Sequence, residues 1–325
     1  MRRVIEEFRF EALAVFHDLP VFAFPFREPD DVAHAGIPQD VEAWAWRVGV
    51  AEYEDTDAQE IFPLFLDSVD TTRIKALLLG AWYGDVSGEG VDKFHRALLD
   101  AADRFPALEA LFVSDVPQEL AEISWIEQED PGALLAAFPR LRVLGVRGGL
   151  GKQIEPLVHA ELEELVFQSG GMPPGAVRAV GGSSLPALAS LDLYLGISGY
   201  GGGAGVEDLA SILSGTAFPK LRHLGLRDAE NADDLAAALA QAPVVAQLES
   251  LDLSLGTLSD VGAAALLAGQ PLTHLRRLDL HHHFLSNAMI ERLEQALPDV
   301  EVDASERLEP REWGGQTHRY VAVSE

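Results

Sequence analysis

The 325-residue sequence predicts an α/β fold in which a short strand-plus-helix unit is repeated along one solenoid. Three observations predict it. A string of the form L-x-x-L-x-[L/V/F] recurs seven times, with first leucines Leu108, Leu141, Leu162, Leu188, Leu221, Leu248 and Leu275. Successive copies lie 33, 21, 26, 33, 27 and 27 residues apart, enough for a strand, a loop and a returning helix. The stretches between copies carry helix-start signals. At 48% hydrophobic residues the chain can bury a large core, and length alone would suggest about two domains. A repeat array escapes that count, because each unit packs only on its neighbours.

Residues 1–70 carry no leucine repeat and are expected to form an N-terminal capping region, since a solenoid must cover its terminal apolar face. Within them, "VEAWAWRVGVAEY" alternates Trp44, Trp46, Val48 and Val50, a strand pattern. "DAQEIFPLFLDSV" reads as an interrupted helix. "DTDAQE" at Asp55 has the look of a calcium loop, but Glu60 occupies the sixth position, where glycine is needed.

The solenoid is expected over residues 71–304. "IKALLL" (Ile74–Leu79) is a weak first copy, followed by "FPALEALFV", "FPRLRVLGV", "HAELEELVF", "LPALASLDL", "FPKLRHLGL", "VAQLESLDL" and "LTHLRRLDL". Pro106, Pro139, Pro186 and Pro219 each stand a few residues before a strand, where they end a helix without removing a ladder hydrogen bond. Asp130 before Pro131, Ser259 and Ser286 are good N-caps for the intervening helices. Residues 305–325 are expected to be a C-terminal capping segment, with "THRYVAVSE" as its strand.

This pattern resembles that of leucine-rich repeats, whose L-x-x-L-x-L carries a short strand. Units of about 27 residues resemble the long, ribonuclease-inhibitor-like subclass. That likeness implies a leucine-rich-repeat horseshoe with parallel strands on the concave face and helices on the convex face. "EISWI", "SLDLYLG", "LRHLGLRD", "LDLSLGTLSDVGAAAL", "LRRLDLHHHFLS" and "YVAVSE" also resemble an uncharacterised bacterial family of cytoplasmic leucine-rich-repeat proteins, along nearly the whole chain. That resemblance implies a fold but no established activity or catalytic residues. Some family members are encoded beside radical-chemistry and ATP-grasp-type proteins, which implies service in a bacterial biosynthetic gene cluster.

Composition narrows the function classes. Fifty-two acids against 24 bases give a net charge of −28, which repels nucleic-acid backbones and favours solubility or a basic partner. No cysteine is present, so thiolate metal sites are excluded and a reducing, cytoplasmic setting is expected. The opening "MRRVIEEFRFEALAVF" is a poor signal peptide, because Glu6, Glu7, Arg9 and Glu11 interrupt its apolar run. No run of about 18 apolar residues offers a membrane span.

Alternation along each strand sends a central row of side chains to the concave face: Leu78, Phe112, Gly145, Val166, Asp192, Gly225, Asp252, Asp279 and Glu301. A second row reads Gly80, Ser114, Arg147, Gln168, Tyr194, Arg227, Ser254 and His281. The surface therefore runs from apolar to acidic. Asp192, Tyr194, Arg227, Asp252, Asp279 and His281 are the candidate contacts for a protein or peptide partner, since Tyr and Arg dominate binding hot spots.

His281 and His283 share the side of Asp279 if the strand extends that far, a spacing that suits a divalent metal. A strand-to-loop junction is also an ordinary place for polar residues, and no third and fourth ligand is evident. The expectation is no metal and no cofactor. "GYGGGAG" contains G-x-G-x-x-A (Gly199, Gly201, Ala204), with Asp228 ending the next strand, but its first glycine comes several residues after the strand. A rim loop is expected rather than a nucleotide site. Trp125 is expected to fill an inserted core in preference to serving as an exposed anchor.

The reading is a non-enzymatic protein- or peptide-binding scaffold. The alternative is a metal-dependent enzyme component using Asp252, Asp279, His281 and His283, though no nucleophile or metalloprotease motif accompanies them. A third is a scaffold that presents a substrate to a modifying enzyme.

Overall fold

The computed structural model describes residues 12–24, 36–49, 58–81, 88–150 and 154–324. The opening residues 1–11, Val50 and Asp55 lie outside them. The strands are β1 Val15–Phe16, β2 Leu19–Ala23, β3 Ala45–Val48, β4 Ala76–Leu79, β5 Ala110–Val113, β6 Glu127–Gln128, β7 Val143–Arg147 and β8 Gly149–Leu150. They continue with β9 Glu164–Gln168, β10 Ser190–Gly196, β11 His223–Ala229, β12 Ser250–Asp252, β13 Arg277–Asp279, β14 Glu301–Asp303, β15 Arg311–Trp313 and β16 Gln316–His318. Twelve of them form one sheet in chain order, β1-β2-β3-β4-β5-β7-β9-β10-β11-β12-β13-β14. Every pairing after β1–β2 is parallel. The protein is thus a mixed α/β fold with a large parallel sheet.

The leucines set this order. Leu165, Leu191, Leu224, Leu251 and Leu278 stand side by side across five strands. They join one buried core with Leu193, Leu226, Leu253 and Leu280 and with the inner faces of the helices, among them Phe65, Leu98, Leu135, Leu235, Leu266 and Leu293. The two serine caps form as expected: Ser259 Oγ accepts from the Val261 amide, and Ser286 Oγ from that of Met289. Asp130 Oδ1 accepts from the Gly132 amide at the start of helix Gly132–Ala137. No helix among the described residues is long and apolar enough to cross a membrane.

Three strands from the first 70 residues, β1, β2 and β3, also enter this sheet. Trp46 pairs in register with Leu77 and Val48 with Leu79, so Trp and Val fill the core positions that leucine takes later. The parallel order therefore starts at β2, before any leucine repeat. Helix Ala58–Ser68 follows, with Pro63 inside it, as the interrupted pattern suggests.

Leu13 and Phe16 near one end of the described residues, and Val323 near the other, pack against the outward face of the sheet. The β1–β2 turn holds His17 and Asp18 at φ of 54° and 58°, the conformation of a tight hairpin whose twist matches its strands. It brings Phe16 edge-on to Phe112, with ring centroids 6.0 Å apart. At the other end, β15 and β16 form an exposed hairpin. Of the expected capping strand, Thr317 and His318 lie in β16, while residues 319–324 are in no strand and Ala322 is in a bend.

Candidate functional site

The sheet face turned away from the helices changes character along the chain. In its N-terminal half, Ala45, Ala76, Leu78, Ala110, Phe112, Val143 and Val166 form a second apolar cluster, closed by Leu13 and Phe16. A buried carboxylate anchors that cover. Asp115 accepts from the Leu13 amide at 3.1 Å, and the Arg47 guanidinium, 2.6 Å from Asp115, donates to the Leu13 carbonyl. Arg147, also buried, sits 3.5 Å from Asp115 and stacks over Phe112 at 5.4 Å.

The C-terminal half is polar, and register assembles it. The central row runs Val166, Asp192, Gly225, Asp252, Asp279 and Asp303. Asp303 thus takes the place expected for Glu301, which stands in the preceding outward row, opposite Arg277. That preceding row contains Glu164, Ser190, His223, Ser250 and Arg277, none of them anticipated as site residues. A signal was available, since His223 in "LRHLGL" lies one alternation before the central row.

All six candidate contact residues lie in this half, and all are buried: Asp192 2%, Tyr194 0%, Arg227 2%, Asp252 0%, Asp279 3% and His281 7% exposed. The expectation of solvent-facing side chains is corrected, because neighbouring groups occupy them. His223 Nε2 lies 3.1 Å from both Asp192 oxygens. Asp252 accepts from the Ser254 amide at 2.9 Å and faces Arg227 at 3.5 Å. Arg227 donates through Nε to Ser254 Oγ at 3.0 Å and lies over the Tyr194 ring at 5.0 Å. His281 Nδ1 sits 2.6 Å from Asp279 Oδ1, while Arg277 bridges Asp279 and Asp303 at 2.9 Å each and reaches Glu301 at 2.5 Å.

Only part of the expected His281–His283 pair reaches this face. Strand β13 ends at Asp279, and His282 takes a left-handed φ of 54°. His283 Nε2 then contacts the Ala304 carbonyl at 2.9 Å, and its Nδ1 accepts from the Leu285 amide. Both ring nitrogens are committed to backbone, and burial pushes the pKa down. His283 is therefore removed from the metal candidates. Among the described residues, two groups bring three possible ligand atoms within 4.8 Å of one another: Asp192, His223 and Asp252, and the expected candidates Asp279 and His281 with Asp303.

The C-terminal segment runs along the rim of this face. Tyr320 packs edge-on to His282 and Phe284. The Ala322 amide donates to the Leu255 carbonyl and the Val323 amide to Asp228 Oδ1, both at 2.8 Å. The Val323 side chain enters an apolar cluster of Ile123, Tyr194 and Leu255. Burial pushes the Asp228 carboxyl well above the usual carboxylate range, against the pull of the Val323 amide. On the same rim Trp125 is 60% exposed, which corrects the expectation of a core-filling residue. The segment Ile123–Trp125 is a 3-10 turn that buries Ile123 and turns the tryptophan outward. The "GYGGGAG" stretch is a rim loop after β10, with Gly201 and Gly203 at φ of 90° and 100°.

No family model matches the sequence, and no curated protein matches it. Solved structures do. The crystal structure of a Bacteroides fragilis protein is similar over 85% of this chain and 78% of its own, with a TM-score of 0.75 and 29% identity. An internalin from Listeria monocytogenes matches 73% of this chain and 68% of its own, at a TM-score of 0.32 and 12% identity. A leucine-rich-repeat protein from Leptospira interrogans matches 84% and 98%, at a TM-score of 0.20 and 14% identity. By the first of these comparisons, the fold of this chain is shared with a solved protein from Bacteroides fragilis.

Proposed function

We propose that this chain is a non-enzymatic scaffold that binds an extended segment of a protein or peptide partner on the polar half of its open sheet face. The observation that carries the reading is the chain's own C-terminal segment. Residues 320–324 lie there as a peptide ligand would: backbone amides donate to Leu255 and Asp228, and Val323 fills a pocket formed with Tyr194. Main-chain hydrogen bonds with one side-chain anchor are the usual physics of extended-peptide recognition. A partner that displaces the segment uncovers Tyr194 first and then reaches Arg227, Asp252, Asp192, Asp279 and His281. The net charge of −28 favours a basic partner and speeds its approach.

The finer picture belongs to the same proposal: a leucine-rich-repeat horseshoe of ribonuclease-inhibitor-like curvature, working in the cytoplasm and serving a biosynthetic gene cluster. Of the residues in the metal-dependent alternative, His283 is turned to backbone partners, while Asp279 and His281 stay together with Asp303.

The test uses the chain shortened by residues 319–325 and a synthetic peptide of residues 315–325. The shortened protein is expected to bind the peptide saturably, and the full chain to bind it at least tenfold more weakly. The shortened protein, used as bait, is expected to enrich a host protein that the same peptide competes away. Equal peptide binding by both proteins, or capture indifferent to the peptide, overturns the reading.

A further inference from the structure

We propose that Asp192, His223 and Asp252 form a divalent transition-metal site that ties three consecutive strands, β10, β11 and β12, together. Each strand supplies one ligand: an imidazole nitrogen from the middle strand and a carboxylate oxygen from each flank, all within 4.8 Å of one another. Ligands bonded to one ion at about 2.0–2.1 Å stand roughly 2.9–3.4 Å apart. His223 Nε2 already lies 3.1 Å from both Asp192 oxygens. An ion between these atoms takes the place of the proton they now share.

The backbone leaves room for this arrangement at one residue. Gly225 stands between Asp192 and Asp252 in the central row, and a Cβ there would collide with Asp192 Oδ1. Glycine lets the Asp192 carboxylate lean over the middle strand toward Asp252.

One further observation points to a cation. Ser190 is 2% exposed, and its Oγ has no hydrogen-bond partner. It lies on the same face of β10 as Asp192, directly across from His223, where an ion-bound water would satisfy it.

In the neighbouring group Asp279, His281 and Asp303, Arg277 lies 2.9 Å from both carboxylates, where an ion would have to displace it. One imidazole and two carboxylates suit zinc, manganese or cobalt better than magnesium or calcium, which prefer all-oxygen shells. All three ligands are buried, so the site acts as a structural clip.

The test refolds the full chain from denaturant with ZnCl2, MnCl2 or CoCl2, desalts it, and measures metal per chain and thermal unfolding. One equivalent of zinc or cobalt, with a higher Tm than in chelator, is expected. His223→Asn and Asp192→Asn should each weaken binding at least tenfold, and His281→Asn should leave it intact. Gly225→Ala should weaken it as well, by displacing Asp192. Should His223→Asn fail to fold, Asp252→Asn asks the same question. Less than a tenth of an equivalent with all three metals overturns the proposal. So does stoichiometric metal that survives both His223→Asn and Asp192→Asn, or that is lost with His281→Asn alone.

Discussion

The two halves of the open sheet face share one backbone and one register, yet they are closed by opposite means. In the N-terminal half the outward positions are Ala, Leu, Phe and Val, and an apolar hairpin seals them. In the C-terminal half the same positions are Asp, His, Arg and Tyr, satisfied by one another and rimmed by the last residues of the chain. Parallel strands leave the outward face chemically uncommitted, and the residues placed there decide whether it becomes a second core or a polar network. An apolar cover is stabilised mainly by the area it buries. A polar network depends on ionisation and on the partners it keeps.

The largest expected effect is on the apolar side. Phe112 is fully buried between the sheet and Phe16. Phe112→Ala should destabilise by about 3–5 kcal/mol through lost burial and a residual cavity. A cost under about 1 kcal/mol in chemical denaturation would mean that the hairpin is a loose cover rather than part of the core. Leu251→Ala, on the helix side of the polar half, should cost about 2–5 kcal/mol, because both halves share that inner core.

The second effect is a pH dependence on the helix side of the N-terminal half. His95, on helix Gly88–Asp100, is buried with no partner for Nε2, and burial pushes its pKa down to about 4. The folded value lies below the unfolded one, near 6.5. The contribution to stability is therefore complete above about pH 6.5 and is lost as pH falls toward 4, by about 3 kcal/mol in all. His95→Leu should flatten that part of the stability–pH curve. Parallel curves for the variant and the parent between pH 7 and 4 would count against this assignment.

How much of this was legible in sequence follows from range. The inner leucines were legible because alternation is local and one residue type repeats it; Leu191, Leu224, Leu251 and Leu278 fall where their phase puts them. Strand β3 was legible as a strand but not as a continuation of the array, since Trp46 and Val48 stand in for leucines. The outward rows were legible as rows. Their burial was not, because it depends on Arg227 reaching Tyr194 one strand away and on Val323 arriving from a distant part of the chain. No local pattern in "RYVAVSE" says what it will cover. Trp125 was misread for a related reason: a 3-10 turn sets its direction, and no periodicity governs such a turn.

A smaller effect tests the rim. Val323 is 2% exposed in a cluster of few members. Val323→Ala should cost about 1–2 kcal/mol and raise the affinity of the full chain for the 315–325 peptide. Lower stability with unchanged peptide affinity would mean that the segment is held by its backbone alone.

The smallest effect is the most specific to the polar half. Asp228 is fully buried at a left-handed φ of 56° and accepts from the Val323 amide, while its Oδ2 has no partner. Burial raises its pKa, so the folded value lies above the unfolded one. Its contribution to stability is present below the usual carboxylate pKa and is lost as pH rises through the raised value, the reverse of His95. Asn tolerates the left-handed conformation, keeps an acceptor for the Val323 amide and carries no charge to desolvate. Asp228→Asn should therefore raise Tm at pH 8, and the gain should shrink toward zero as the pH is lowered to 4. Asp228→Ala loses the acceptor and strains the backbone, and should lower Tm at both pH values. A gain for Asn that stays constant with pH would show that the carboxyl is not held neutral in the fold. A loss for Asn at pH 8 would show that the ionised carboxylate is what clamps the C-terminal segment in place.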